Sequence, residues 1–296
     1  MRCRWLHREN ISLNPYHLWQ PNLPCMQPTD EREQLIMATT FGMEFEIQGL
    51  SPARAAMALN GAGIQCDTNV STHSTAPNWK AVYDGSVSNG AEVVSPILNP
   101  ARLNEAHKVT KILKDNGARV DRATGFHVHI GLDAFSGTYS SVARFVLNYY
   151  SMHSAIAALV APSRLNNRYC TILNRMFAER QAEFTANQND GAWNGNRYTS
   201  LNLESIRRHG TIEIRLHQGT LNGVKAIAWA QFMAALIDTS VQGVDLNAKD
   251  ELNPWADGTR PSLENCNMLM DTLVGNGTLN ASTGDWLKGR AARLNK

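Results

Sequence analysis

The chain has 296 residues, 28 basic and 26 acidic, for a net charge of +2, a balance that excludes the large basic surface nucleic acid requires. A hydrophobic fraction of 43% with 18% charged residues excludes a disordered chain. The longest wholly apolar run, around 155–162, is too short for a membrane span, and the five scattered cysteines (Cys3, Cys25, Cys66, Cys170, Cys266) lack CxxC spacing, as expected of free thiols in a reducing cytoplasm.

Residues 1–36 carry prolines and no sustained period of 2 or 3.6, and are expected to form an irregular extension ahead of a start at Met37. Residues 37–296 are expected to form a single catalytic domain, with no clean linker after residue 41. The stretch "FGMEFEIQ" alternates strictly: Phe41, Met43, Phe45 and Ile47 share one face, Glu44 and Glu46 the other. "SPARAAMALNGAG" predicts a helix with Ser51 as N-cap and Pro52 in its first turn. Three short strands follow, "GIQCDT", "WKAVYD" and "AEVVS", separated by turns rich in glycine, serine and asparagine.

A second helix runs from Pro100 to Gly117, and "GFHVHIGL" is a strand with His127 and His129 on one face. Residues 138–160 are expected to be mostly helical, with Pro162 breaking them, and a short helix is placed around 170–182. "SLNLESIRR" and "GTIEIRLHQG" predict two strands joined by a turn at "RHG". The second sets Glu213, Arg215 and His217 opposite Ile212, Ile214 and Leu216. A long helix, "NGVKAIAWAQFMAALIDTS", packs behind them, and two helical segments end the chain. This succession predicts an α+β fold around a mainly antiparallel sheet.

Three strands thus each present acids, imidazoles or guanidinium on one side. An ExE, an HxH or an ExR alone describes an ordinary wet strand face or a weak surface ion pair. In combination with Asp84 and Glu92 from "YDGSVSNGAEVVSP" they predict converging carboxylates that repel one another unless cations neutralise them. An oxygen-rich set with one imidazole suits Mg²⁺ or Mn²⁺ rather than structural zinc.

The ordered motifs "FGMEFE", "YDGS…AEVVSPIL", "GFHVHIG", "NRYTSLNL" and "GTIEIRLHQGTL" resemble those of the amidoligases, carboxylate–amine ligases related to glutamine synthetase and to glutamate–cysteine ligase. The resemblance runs from about Phe41 to about Ile237. It implies a curved sheet with helices on one face, as in the glutamine synthetase catalytic domain. It also implies an ATP-dependent amide-bond former that uses two or three Mg²⁺ ions, Mn²⁺ being an alternative, and joins a small-molecule or peptide carboxylate to an amine.

Carried over by position, the resemblance implies that Glu44 and Glu46 serve different metals. Asp84 and Glu92 complete the first metal site, and His127 and Glu213 join Glu46 at the second. Arg215 contacts the transferring phosphoryl group, and Arg197 and Asn202 contact substrate or phosphate. His129 is placed with the cofactor-binding residues, as a less certain ligand that supports His127 or faces the substrate, and His217 is read as a neighbour on the polar face. Arg164 and Arg168 are read either as phosphate or substrate contacts or as a solvated helix start. Trp193 and Asn194 are read as part of a substrate lid or as a surface loop. A guanidino-type phosphotransferase, an HxH hydrolase or oxygenase, and a non-catalytic interaction scaffold stand as alternatives. With no separate N-terminal domain of the ring-building kind, a monomer or small homo-oligomer is expected.

Overall fold

The computed structural model describes residues 39–69, 74–87, 89–173, 178–180, 197–247 and 260–296. The expectations for residues 1–36 and for Trp193 and Asn194 lie outside them. Seven strands form one sheet: β1 (Phe41–Gln48), β2 (Cys66–Asp67), β3 (Trp79–Val82), β4 (Gly90–Val94), β5 (Phe126–Gly131), β6 (Leu201–Asn202) and β7 (Thr211–Ile214). Their spatial order is β2-β3-β4-β1-β5-β7-β6. Every pairing is antiparallel except the two-residue contact of β2 with β3, which is parallel.

The alternation in β1 has the expected consequence. Phe41, Met43, Phe45 and Ile47 are buried, and Phe45 stacks on Phe126 of β5 at 4.8 Å between ring centroids. Burying side chains of this size contributes about 1.5–3 kcal/mol each, which fixes the register, since a slip of one residue would turn them all to the other face. β4 approaches β1 so closely at Gly90 that a Cβ there would stand 2.0 Å from the Ile47 carbonyl oxygen. No other residue fits this contact.

Helices α1 (Pro52–Gly61), α2 (Glu105–Asp115), α3 (Tyr139–Ser151), α4 (His153–Ala157), α5 (Pro162–Leu165), α6 (Ser205–His209), α7 (Gly223–Val241), α8 (Leu263–Gly275) and α9 (Ala281–Leu294) accompany the sheet, with short 3-10 helices at Pro100–Arg102 and Leu132–Phe135. Ser51 caps α1, accepting from the Arg54 amide, as its position before Pro52 predicts. The central α7 is long and apolar enough to cross a bilayer by length and composition, but most of it is buried, with Trp229, Phe232 and Met233 in the core.

Several local expectations are corrected. "ESIRR" is not strand: β6 ends at Asn202 and α6 follows, closed by Gly210 at φ 64°. The signals were a basic last turn and a glycine C-cap, which outweigh the alternating Leu201, Leu203 and Ile206. Pro162 opens α5 rather than breaking a helix, because proline's missing N–H costs nothing in a first turn. Thr171 pairs with Thr199 in an isolated bridge, so the helix expected from residue 170 does not begin there.

Candidate active site

The strand order decides which side chains meet. In β1 and β5, Glu44 is opposite His127; in β1 and β4, Glu46 is opposite Glu92; in β5 and β7, His129 is opposite Glu213. Paired residues share a face, so the acids and imidazoles of four adjacent strands project together from the side opposite the buried Phe45 and Phe126. They floor a cavity of about 580 Å³ lined by Glu44, Asp84, Glu92, His127, His129 and Glu213, with Arg197, Asn202 and Arg215 at one side.

The His127 ring lies at the centre, 3% exposed. Its Nδ1 is 3.0 Å from Glu44 Oε2 and 3.5 Å from Glu213 Oε1, and its Nε2 is 3.5 Å from Glu46 Oε1. Two donor groups result, Glu44–His127–Glu213 and Glu46–Glu92–His127, each with ligand atoms within 4.8 Å of one another. This partition differs from the one the resemblance implies: Glu213 groups with Glu44, and Glu46 groups with Glu92. A neutral imidazole has one lone pair, so His127 can complete one group at a time, and the other relies on oxygen. Asp84 joins neither. It stands at the rim, its Oδ1 accepting from the Ser86 amide at 2.5 Å.

Electrostatics distinguish the carboxylates. Burial, then the charges of Glu44, Asp84, Glu46 and Glu213, push the Glu92 carboxyl well above its ordinary range. Burial would also raise Glu44, but the charge of His129 and the hydrogen bond from His127 outweigh it and hold Glu44 well below. Glu213 is similarly lowered, because Arg215 and His129 overcome its burial. Four carboxylates around one imidazole, one of them forced toward its neutral form, fit a divalent cation with hard oxygen ligands.

Glu213 is held from two sides: Asn202 Nδ2 donates to its Oε2 at 2.5 Å, and Arg215 Nη1 donates to its Oε1. Arg197 is exposed at the cavity rim, its guanidinium 5.1 Å over the Tyr198 ring. His129 Nδ1 lies 2.9 Å from Thr211 Oγ1 and 3.2 Å from Ser205 Oγ. Its buried Nε2 is 3.2 Å from Glu44 Oε1, a charge contact without the alignment of a hydrogen bond.

Three expectations change. His217 is not on the polar face. It is fully buried, edge-on to Phe126 at 5.5 Å and 4.9 Å from Trp229. The strand ends at Ile214, and the period of two ends with it. Arg164 is also buried and donates to the Arg215 and Leu216 carbonyls, at 2.8 and 3.2 Å, so it fixes the chain leaving β7 rather than meeting phosphate. Arg168 lies 4.8 Å over the Tyr169 ring, outside the cavity lining.

Sequence reasoning missed Lys80. It is 3% exposed, on the same face and in the same cross-strand row as Glu44 by way of Val94. Burial lowers its pKa, and Glu44 and Glu92 oppose that shift. Its signal was the alternation of β3, where Trp79 and Ala81 face the core.

Residues 37–237 match the family described as "Putative amidoligase enzyme". No curated protein matches the chain. Among solved structures the chain is similar to "Apo GmaS without ligand", at 13% identity over 88% of this chain and 72% of that one, with a TM-score of 0.45. It is also similar to the complex between the Prokaryotic Ubiquitin-like Protein Pup and its Ligase PafA, at 9% identity and a TM-score of 0.43, over 89% of this chain and 65% of that one.

Proposed function

The chain belongs to the amidoligase family, and on that premise we propose that it joins a carboxylate to an amine at the expense of ATP, through an acyl phosphate. The observation that carries this reading is the convergence of Glu44, Glu46, Glu92 and Glu213 on His127, with the Arg215 guanidinium bonded to Glu213. A cluster this acidic needs cations, and the γ-phosphate of a nucleotide is a ligand that cations would bridge to it.

In this reading the substrate carboxylate oxygen attacks the γ-phosphorus, and the bond from that phosphorus to the ADP oxygen breaks. The amine nitrogen then attacks the acyl carbon, the carbon–oxygen bond to phosphate breaks, and a proton is lost from the nitrogen. Glu44, Glu213, Glu46, Glu92 and His127 would hold Mg²⁺, which when bound offsets negative charge on the phosphates. Arg215 supplies fixed positive charge beside them. Asn202 keeps Glu213 oriented, and Arg197 reaches the outer phosphates or substrate from the rim. The same reading makes residues 37–296 one catalytic domain of the glutamine synthetase type, in the cytoplasm, as a monomer or small homo-oligomer.

The test is release of ADP and phosphate from ATP, with Mg²⁺, in the presence of pooled amino acids, peptides and polyamines. A ligase yields both products, and only with Mg²⁺. ADP without free phosphate would indicate a phosphotransferase. Absence of turnover and of Mg-ATP binding would leave a non-catalytic scaffold.

A further inference from the structure

Helices α7 and α9 gather basic groups that the proposed reaction does not use. Thr283 Oγ1 of α9 donates to Gln231 Oε1 of α7 at 3.1 Å. From that contact Lys225 stands six residues back along α7 and Arg290 seven residues on along α9, about 9 and about 10 Å at the helical rise. The charge of Arg290 acts on Lys225, so these displacements run the same way and the helices lie antiparallel. His217 adjoins the pair. Its ring is 4.9 Å from that of Trp229, one turn along α7 from Lys225, and the charges of Lys225 and Arg290 both hold its pKa down.

Nothing offsets these charges. Arg290 Nε donates to the Leu159 carbonyl at 3.0 Å, but its Nη2 is buried without a partner. The Trp229 indole Nε1 is likewise buried and unpaired. Lys225, half-buried, has no side-chain hydrogen bond or ion pair among the described residues. Burial and Arg290 push Lys225 down to about 7, burial and Arg293 push Arg290 down to about 10, and no carboxylate opposes either shift. Neighbouring cations removed from water without a counterion are costly, and a buried guanidinium N–H without an acceptor adds to the cost.

We propose that Lys225 and Arg290 form a binding site for a doubly charged oxyanion of the phosphate class. A dianion neutralises both cations, whereas a single carboxylate leaves one of them uncompensated. Arg290 Nη2 and the Lys225 ammonium supply charge-assisted donors. The N-terminal turn of α7, where Asn222 accepts from the Lys225 amide, adds the positive end of a 19-residue helix. The site is separate from the carboxylate cluster and does not depend on the ligase reading.

The probes are inorganic phosphate, glycerol phosphate and acetate, titrated into the full chain with EDTA at pH 7. Binding is followed by thermal shift and by the Lys225 ¹³Cε resonance, assigned through its absence in Lys225→Met. Phosphate is expected to bind more tightly than acetate and to raise the titration midpoint of Lys225. Lys225→Met and Arg290→Gln should each weaken phosphate binding at least about tenfold, and Lys225→Arg should retain it. Arg197→Gln, at the rim of the other cavity, should leave it unchanged. Glycerol phosphate binding as tightly as phosphate identifies an esterified ligand, and weaker binding identifies the free ion; both sustain the site. Phosphate affinity equal in the parent and Lys225→Met, loss of binding in Arg197→Gln alone, a Lys225 midpoint that phosphate does not move, or tighter binding of acetate overturns the proposal. Should Arg290→Gln fail to fold, the contrast of Lys225→Met with Lys225→Arg decides.

Discussion

The Gly125 amide donates to Glu46 Oε2 at 2.5 Å, and a Cβ on Gly125 would stand 2.8 Å from His127 Nε2. One glycine therefore orients a carboxylate and leaves room for the imidazole beside it. In Gly125→Ala the ring must swing, since its far end yields more readily than backbone. The expected result is a 10–100-fold loss of Mg²⁺ affinity, the usual scale for disturbing groups that orient ligands. The melting temperature without Mg²⁺ should stay close to that of the parent. Titration of Mg²⁺ followed by thermal shift measures both, and unchanged affinity would refute this role for Gly125.

The two histidines of the HxH should separate experimentally. His127 touches Glu44, Glu46 and Glu213, whereas His129 Nδ1 is occupied by Thr211 and Ser205. His127→Ala removes the shared donor of both groups and is expected to abolish Mg-dependent ATP turnover. His129→Ala should retain Mg²⁺ binding and lose turnover to a smaller extent. If His129→Ala loses Mg²⁺ binding as fully as His127→Ala, the assignment of His127 as the principal ligand fails.

How much of this was legible follows from which interactions are local. Alternation placed Glu44 with Glu46, and His127 with His129, because residues two apart on a strand share a face whatever their neighbours. Pairing Glu46 with Glu92 and Glu44 with Glu213 depends on strand order, which no short motif encodes. Lys80 shows the same limit: its face was readable from β3, but its row with Glu44 exists only because β4 lies between them. His217 failed for a different reason. The period of two was extended past Ile214, where Arg164 binds the carbonyls of Arg215 and Leu216 and turns the chain into the core.

Glu92 should destabilise the metal-free protein. Its unfolded carboxyl ionises near 4.5, and the folded site holds it well above that. The folded state binds the proton more tightly, so this contribution is fully present below the unfolded value and is lost as pH rises through the folded one. At pH 8 without Mg²⁺, Glu92→Gln should therefore melt higher than the parent, by roughly 2–5 °C. The gap should close toward pH 4.5. Added Mg²⁺ should stabilise the parent more than the variant, because a ligand has been removed. Differential scanning calorimetry across pH tests this, and a variant less stable than the parent at pH 8 without metal would contradict it.

Lys225 gives the opposite pH dependence. It lies in the first turn of α7, where burial, and next the charge of Arg290 from α9, lower its pKa from 10.5 to about 7. The positive end of the helix dipole acts in the same direction. Between pH 7 and 10.5 the unfolded chain binds the proton more tightly than the folded one. Stability should therefore rise with pH across that window and carry its full penalty below it. Lys225→Met keeps the apolar stem and removes the titrating group. The variant should be more stable than the parent at pH 7, with the difference shrinking toward pH 10. Urea unfolding at several pH values measures the slope, and a parent whose excess slope survives in Lys225→Met would place its origin elsewhere.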